Sequence, residues 1–174
     1  NFFIPAIFVT PVINTMYPIN SIYKSFMKKY PRVGKYKVKN KEKYVGNLHE
    51  CEHRSRWELI YMKYLDSNPF VLEWGSETIK IPYYNPVEKR TRRYLVDFYA
   101  KVRDKNSREQ KYIIEIKPSN QCFPPKKPLR RTKAYKEAVM AYMVNQAKWR
   151  AAYKYAEKHE WKFIVITEKE LGIK

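Results

Sequence analysis

The sequence predicts an α/β fold: a mixed central β-sheet flanked by helices, with an extended arm ahead of it. Three observations predict it. Several runs have strand character, two segments repeat apolar residues at helical spacing, and residues 1–26 are apolar and broken by Pro5, Pro11 and Pro18. At 44% hydrophobic and 16% aromatic, the 174 residues can build one core, and the length suits one domain plus an appendage.

In chain order, the first segment (1–26) reads as an apolar N-terminal arm. A signal peptide would want a basic start and an unbroken apolar run, whereas prolines favour extended chain. Such an arm is expected to pack on this domain or on a neighbouring protein. Residues 27–54 turn basic and tyrosine-rich (MKKYPRVGKYKVKNKEKYVGN) and read as extended, solvated chain, either a linker or a path for a phosphate backbone. The remainder, 55–174, carries the core. Trp57, Ile60, Tyr61, Tyr64 and Leu65 share one face of a helix from Ser55 to Asp66, which the SNP at 67–69 ends. Strand character follows at 77–84, 92–102, 110–118 and 161–167. A long helix is expected from about Thr132 to His159. Its inward stripe is Tyr135, Val139, Tyr142, Gln146, Trp149, Tyr153 and Ala156, and the buried amide of Gln146 needs a polar partner.

Charge narrows the function. Lys and Arg number 36 against 17 Asp and Glu, a formal +19, and such a balance attracts polyanions, nucleic acid first among them. No apolar run is long enough to span a bilayer, so no membrane partner is expected. Two distant cysteines, Cys51 and Cys122, suggest no disulfide framework. His49-x-Cys51-x-His53 has poor spacing for a structural zinc site.

Two acids break the strand pattern. In RYLVDFYAK, straight alternation puts Leu95, Asp97, Tyr99 and Lys101 on one side, and in KYIIEIKP it puts Ile113, Glu115 and Lys117 together. Asp97 and Glu115 can then face each other across a hairpin. Two ionised carboxylates that close repel unless a cation lies between them or one takes a proton. Taken singly, each acid has a bland reading: Asp97 at an exposed edge, Glu115 paired with Lys117, and Glu58 in a Ser55-x-x-Glu58 capping box. Together they offer hard oxygen ligands beside an ammonium, as phosphodiester hydrolysis requires.

Asp97, then Glu115-Ile116-Lys117, with a helical Glu58 before them, resembles the PD-(D/E)XK pattern of restriction-endonuclease-like nucleases. Val96 stands where that pattern usually has Pro. More narrowly, the run from about Met27 to Lys174 is similar to the head completion nucleases of T-even-type tailed phages, relatives of the transposon-end endonuclease N-terminal domain. The stretches RSRWELIYMKYLDSNP, IPYYNPV, YLVDFYA, IIEIKPSNQCFPPKKP, VNQAKWRAA and WKFIVITEKELGI carry the likeness. Residues 1–26 have no counterpart in it.

The resemblance implies catalytic roles for Glu58, Asp97, Glu115, Lys117 and Gln146. It implies one or two Mg²⁺ ions, with Mn²⁺ able to substitute, on Asp97, Glu115, Glu58 and the Ile116 carbonyl. It also implies action on packaged double-stranded DNA at the head–tail vertex of a virion, assembled in the host cytoplasm, with portal or neck proteins as partners. For DNA contact the residues offer a Pro-stiffened ridge of Lys126, Lys127, Arg130, Arg131 and Lys133. Arg90, Arg92 and Arg93, in the turn before Asp97, form a second patch, and Lys148 is expected to meet phosphate or solvent. Two other readings remain: a basic neck protein that touches DNA without cutting it, which leaves the two acids unexplained, and a transposase or repair endonuclease.

Overall fold

A long two-stranded ribbon, bent in its middle, organises the chain. The computed structural model describes residues 33–130 and 132–173, so the arm, the start of the basic segment and Arg131 lie outside the described residues. The elements are β1 (Gly34–Lys35), β2 (Glu52–His53), α1 (Arg56–Ser67), β3 (Val71–Ser76), β4 (Lys80–Asn85), β5 (Arg90–Leu95), β6 (Phe98–Arg103), β7 (Glu109–Ile116), α2 (Lys133–Lys158) and β8 (Lys162–Ile166). The central sheet runs β3-β6-β7-β8, antiparallel except for the parallel pair β7–β8 that α2 connects, and is therefore mixed as expected.

The expected single strand over 92–102 is corrected to two. Pairing between β3 and β6 reaches Ser76↔Phe98, and pairing between β4 and β5 resumes at Lys80↔Leu95, so residues 77–79 bulge opposite Val96 and Asp97. Glu77 takes a left-handed backbone there, at φ 53°, an uncommon conformation for a non-glycine residue. An extra residue flips the side-chain alternation and bends the ribbon. Tyr94 and Val96 therefore pack with Ile81, Tyr83 and Ile113 on one face of the sheet, while Phe98 and Ala100 pack with Tyr112, Ile114 and Ile116 on the other. The shared face that straight alternation assigns to Tyr94 and Phe98 does not form.

Strand β3 carries no alternation and escaped the sequence reading. Trp74 is fully buried in it, and Gly75 is required because an added Cβ would sit 2.5 Å from the Val45 carbonyl oxygen. Helix α1 starts where Ser55 caps it, its Oγ accepting from the Glu58 N–H, and buries Leu59 to Met62, Tyr64, Leu65 and Asp66 against the sheet. Helix α2 covers the opposite face but only with its C-terminal half: Trp149, Ala152 and Ala156 are its buried residues. The expected inward stripe is corrected accordingly. Tyr153 is 55% exposed, and Tyr135, Val139, Tyr142 and Gln146 are half-buried.

The basic segment is solvated over much of its described part but is tied down at a few points. Tyr36, Val38, Cys51 and His53 are buried, and Asp66, itself 1% exposed, accepts from Tyr36 Oη (2.8 Å), Lys39 N (2.8 Å), Asn40 N (3.0 Å) and Asn40 Nδ2. A buried carboxylate with this many donors acts as a clamp between segment and helix. Asp66→Ala is expected to cost about 3 kcal/mol, because it removes the shared acceptor of one buried and several part-buried donors at once. Denaturant unfolding would measure the loss, and hydrogen exchange should quicken first at Lys39 and Asn40. A variant as stable as wild type would refute the clamp.

Candidate active site

The bend in the ribbon leaves a backbone debt beside it. Ladder pairing of β6 with β7 ends at Phe98↔Ile114 because the chain before Phe98 has turned away. On its other edge β7 stays paired through Ile116↔Ile166, and Lys117 N donates to Ile166 O at 2.9 Å. The Ile116 N–H has lost its strand neighbour, and Asp97 Oδ2 accepts from it instead at 2.7 Å. A short-chained carboxylate at the bend can do this; the Val usual in strands has no acceptor, and a Thr hydroxyl has a shorter reach.

Glu115 lies on the same side of β7 as Ile113 and Lys117, and is 3% exposed. Both of its oxygens are engaged: Oε2 accepts from Tyr94 Oη at 2.5 Å, and Oε1 is 3.0 Å from Lys117 Nζ. Burial and the charge of Glu115 hold the Asp97 carboxyl well above the usual carboxylate range, with a further push from Glu58; the Ile116 N–H and Lys117 oppose the shift without cancelling it. Burial works to lower Lys117, but Glu115 overrides it and the ammonium is held above its ordinary value. Burial, then Glu115, raises Tyr94 far above the ordinary phenol value, so Tyr94 keeps its proton and donates.

The structure thus brings Asp97, Glu115 and Lys117 together. Glu58 is spent on its own helix: Oε1 accepts from Ser55 Oγ at 2.8 Å and Oε2 from Arg54 N at 2.7 Å, the capping-box geometry, and it reaches Asp97 only through its charge. Among the described residues no three His, Cys, Asp or Glu side chains converge on one point as a metal cluster. The donor set at the bend is two hard carboxylates with the Ile116 peptide between them. That set fits Mg²⁺, which keeps several waters and takes one or two carboxylates plus substrate phosphate oxygens. Gln146 is half-buried rather than buried. The need for a polar partner falls with that, because its amide can be solvated.

One neighbour of the site, Tyr94, was not singled out from sequence, and another, Lys148, was given a different place. Tyr94 fixes Glu115, and its only sequence signal is its place three residues before Asp97, across the flip in alternation. Lys148 turns inward, its ammonium 5.4 Å from the Tyr94 ring centre and 6.0 Å from that of Tyr83. The expectation that it projects to free phosphate or solvent is corrected. Its charge rests on ring faces.

The basic candidates divide. Arg90 and Arg92 stand on β5, not in a turn, and both pair with Glu88, at 2.7 and 2.5 Å. Arg93 is exposed on the outer face of the ribbon, opposite Pro82. Lys126, Lys127 and Arg130 are exposed on the segment between β7 and α2, and Lys133, at the start of α2, is exposed 4.0 Å from Glu137. Arg131 lies outside the described residues.

The raised Asp97 carboxyl carries a stability consequence. A folded-state value above the unfolded one means that the native chain binds this proton more tightly, so stability is highest below the unfolded value of about 3.9 and falls as pH rises through the folded value. Asp97→Asn removes the charge but keeps an acceptor for the Ile116 N–H. In chelator at pH 7 it is expected to raise Tm by about 2–4 °C and to flatten the decline of stability above pH 4. A lower Tm, or an unchanged pH slope, would contradict the strain read here.

Comparisons with known proteins show the family. The family model described as TnsA-like endonuclease N terminal matches residues 68–168, a span that holds Asp97, Glu115, Lys117 and Gln146 but not Glu58. The Head completion nuclease of Enterobacteria phage T4 is 40% identical over 148 residues, covering 81% of this chain and 96% of that protein. No solved structure gives a significant match. The mixed sheet between helices is the restriction-endonuclease-like architecture. Half-buried Asp97, buried Glu115 and adjoining Lys117, within a matched span of more than half the chain, lead to one conclusion: the chain belongs to the TnsA-like endonuclease family.

Proposed function

We propose that this chain is a Mg²⁺-dependent DNA endonuclease of a phage particle, acting on the ends of packaged DNA during head completion, before the tail joins. The observation that carries the chemistry is the Asp97–Glu115 pair, held around the Ile116 peptide next to the Lys117 ammonium. The setting is supported by the similarity to a protein named for head completion. Portal or neck proteins as partners, and a place at the head–tail vertex, follow from that setting.

Asp97, Glu115 and the Ile116 carbonyl would hold the ion, and Glu58 could join them by leaving its cap. When bound, Mg²⁺ supplies the positive charge that offsets the two carboxylates and polarises the scissile phosphate. Tyr94 and Lys117 hold Glu115 in one orientation, so the carboxylate enters the reaction already placed. Lys117, at the open side of the pair, orients the attacking water and stabilises the charge that gathers on the phosphate oxygens. The water oxygen forms a new bond to phosphorus and the P–O3′ bond breaks. The water's proton passes to solvent and the 3′ oxygen is protonated, leaving a 5′-phosphate and a 3′-hydroxyl. Gln146, half-exposed on α2, is the remaining candidate for contact with the reacting phosphate.

A non-catalytic DNA-contacting neck protein accounts for Asp97 as the acceptor for the Ile116 N–H, but gives no reason for a second, buried carboxylate whose charge bears on it. Linear and circular DNA incubated with Mg²⁺, with Mn²⁺ and with chelator decide the matter. Wild type is expected to cut with either metal and not in chelator, giving ends that ligase rejoins without kinase treatment. Asp97→Ala should abolish cutting, and Lys117→Met should slow it by about a hundredfold or more. Equal cutting by wild type and Asp97→Ala would remove the site.

A further inference from the structure

Directly after the Lys117 strand the chain exposes apolar side chains where a basic protein has least reason to. Phe123 and Leu129 are the two most exposed large hydrophobic residues among the described ones, at 67% and 108%. Both stand on the segment 118–132, which is not a loose strap. Ser119 anchors its start, with N donating to Glu168 Oε2 at 2.9 Å and Oγ donating to the same carboxylate, and one helical turn follows through Gln121 N to Pro118 O. Pro124, Pro125 and Pro128 then fix φ at three positions of the exposed stretch, which reduces the conformational freedom to be lost on binding.

The surroundings select the occupant. Lys126, Lys127 and Arg130 are exposed between and beside the two apolar tips. An apolar protein patch would have to strip water from these three cations without repaying them. Nucleic acid satisfies both halves: phosphates meet the cations, and base faces meet Phe123 and Leu129. In an intact duplex those faces are stacked against each other. They become available at an end, a fork or another unstacked step, and apolar side chains at such steps act as wedges.

We propose that Phe123 and Leu129 form an apolar wedge that recognises unstacked bases in DNA and directs the adjoining site to ends and branch points. The cutting half of this statement rests on the nuclease reading above; the recognition half does not. Five residues lie between Lys117 and Phe123, and the helical turn within them keeps the span under about 20 Å. At 3.4 Å per base pair along the duplex, cuts should fall within about six base pairs of the unstacked step.

The test is fluorescence anisotropy in chelator, where no cutting occurs, using a forked duplex and a relaxed covalently closed circle of the same sequence, with 2-aminopurine at the fork. Wild type is expected to bind the fork about tenfold or more tighter than the circle and to brighten the 2-aminopurine. The double variant Phe123→Ala/Leu129→Ala should lose the preference and the brightening together. Lys126→Ala/Lys127→Ala should instead weaken both DNAs alike. A preference that survives in the double alanine variant, or is missing in wild type, overturns the wedge and assigns the pair to a protein partner. Because the binding arm needs neither metal nor cleavage, failure of the wedge and failure of the Asp97 site show up in different measurements.

Discussion

One peptide group sets the terms for this site: the N–H of Ile116. Strand β7 is an inner strand, and the bend in the ribbon takes β6 away from it at Ile114, two residues before its pairing with β8 ends. An orphaned buried N–H costs free energy on the scale of a lost hydrogen bond. Asp97 removes that cost by supplying an acceptor from the bend itself. The same act fixes a carboxylate next to the side of the sheet where Glu115 points. Repair of the backbone and placement of the acid are therefore a single event, and a substitution that straightened the ribbon would undo both.

The bend also decides how the two faces are filled. Without it, Tyr94 would follow Phe98 onto the α1 side; with it, Tyr94 turns to the α2 side and reaches Glu115. The hairpin beyond the bend then serves as a wall: Ile81, Tyr83 and Tyr94 exclude water from the back of Glu115, and Lys148 closes over the rings. Helix α2 takes part in this with its C-terminal half only, which leaves its first turns projecting beside the basic segment that precedes them. Support behind the acids and an exposed basic stretch directly after their strand come from the same chain path.

Much of this was legible in the sequence, and the failures share a cause. The α1 helix, its Ser55 cap, the β7 alternation and the α/β class rest on local signals, which residues close in sequence carry themselves. The carboxylate pair was legible because an acid in an apolar strand is conspicuous. The bend was not, since a bulge depends on Glu77 and residues 77–79 across the ribbon, and no local pattern in 92–102 reports it. Strand β3 was missed because Trp74 and Gly75 are chosen for close approach of Tyr44 and Val45, not for alternation. The burial of Tyr36 and Val38 hinges on Asp66, whose value lies in donors that arrive from 26 to 30 residues away. Composition suggested solvated chain there; a tertiary clamp overrode it.

Surface charge and site charge have opposite signs in this molecule, and the difference has a functional logic. A formal +19 draws phosphate backbones to the surface at long range. At the bend, however, two carboxylates meet with a single lysine as counterweight, and burial already holds Asp97 above its ordinary range. A bare phosphodiester brought to that point by the outer field would be repelled over the last few ångströms. A bound cation, as proposed for this site, would reverse the local sign and relieve the Asp97–Glu115 repulsion in doing so. Under that proposal capture and chemistry are separate: the basic surface would hold DNA whatever the metal supply, and the acid pair would wait for the ion.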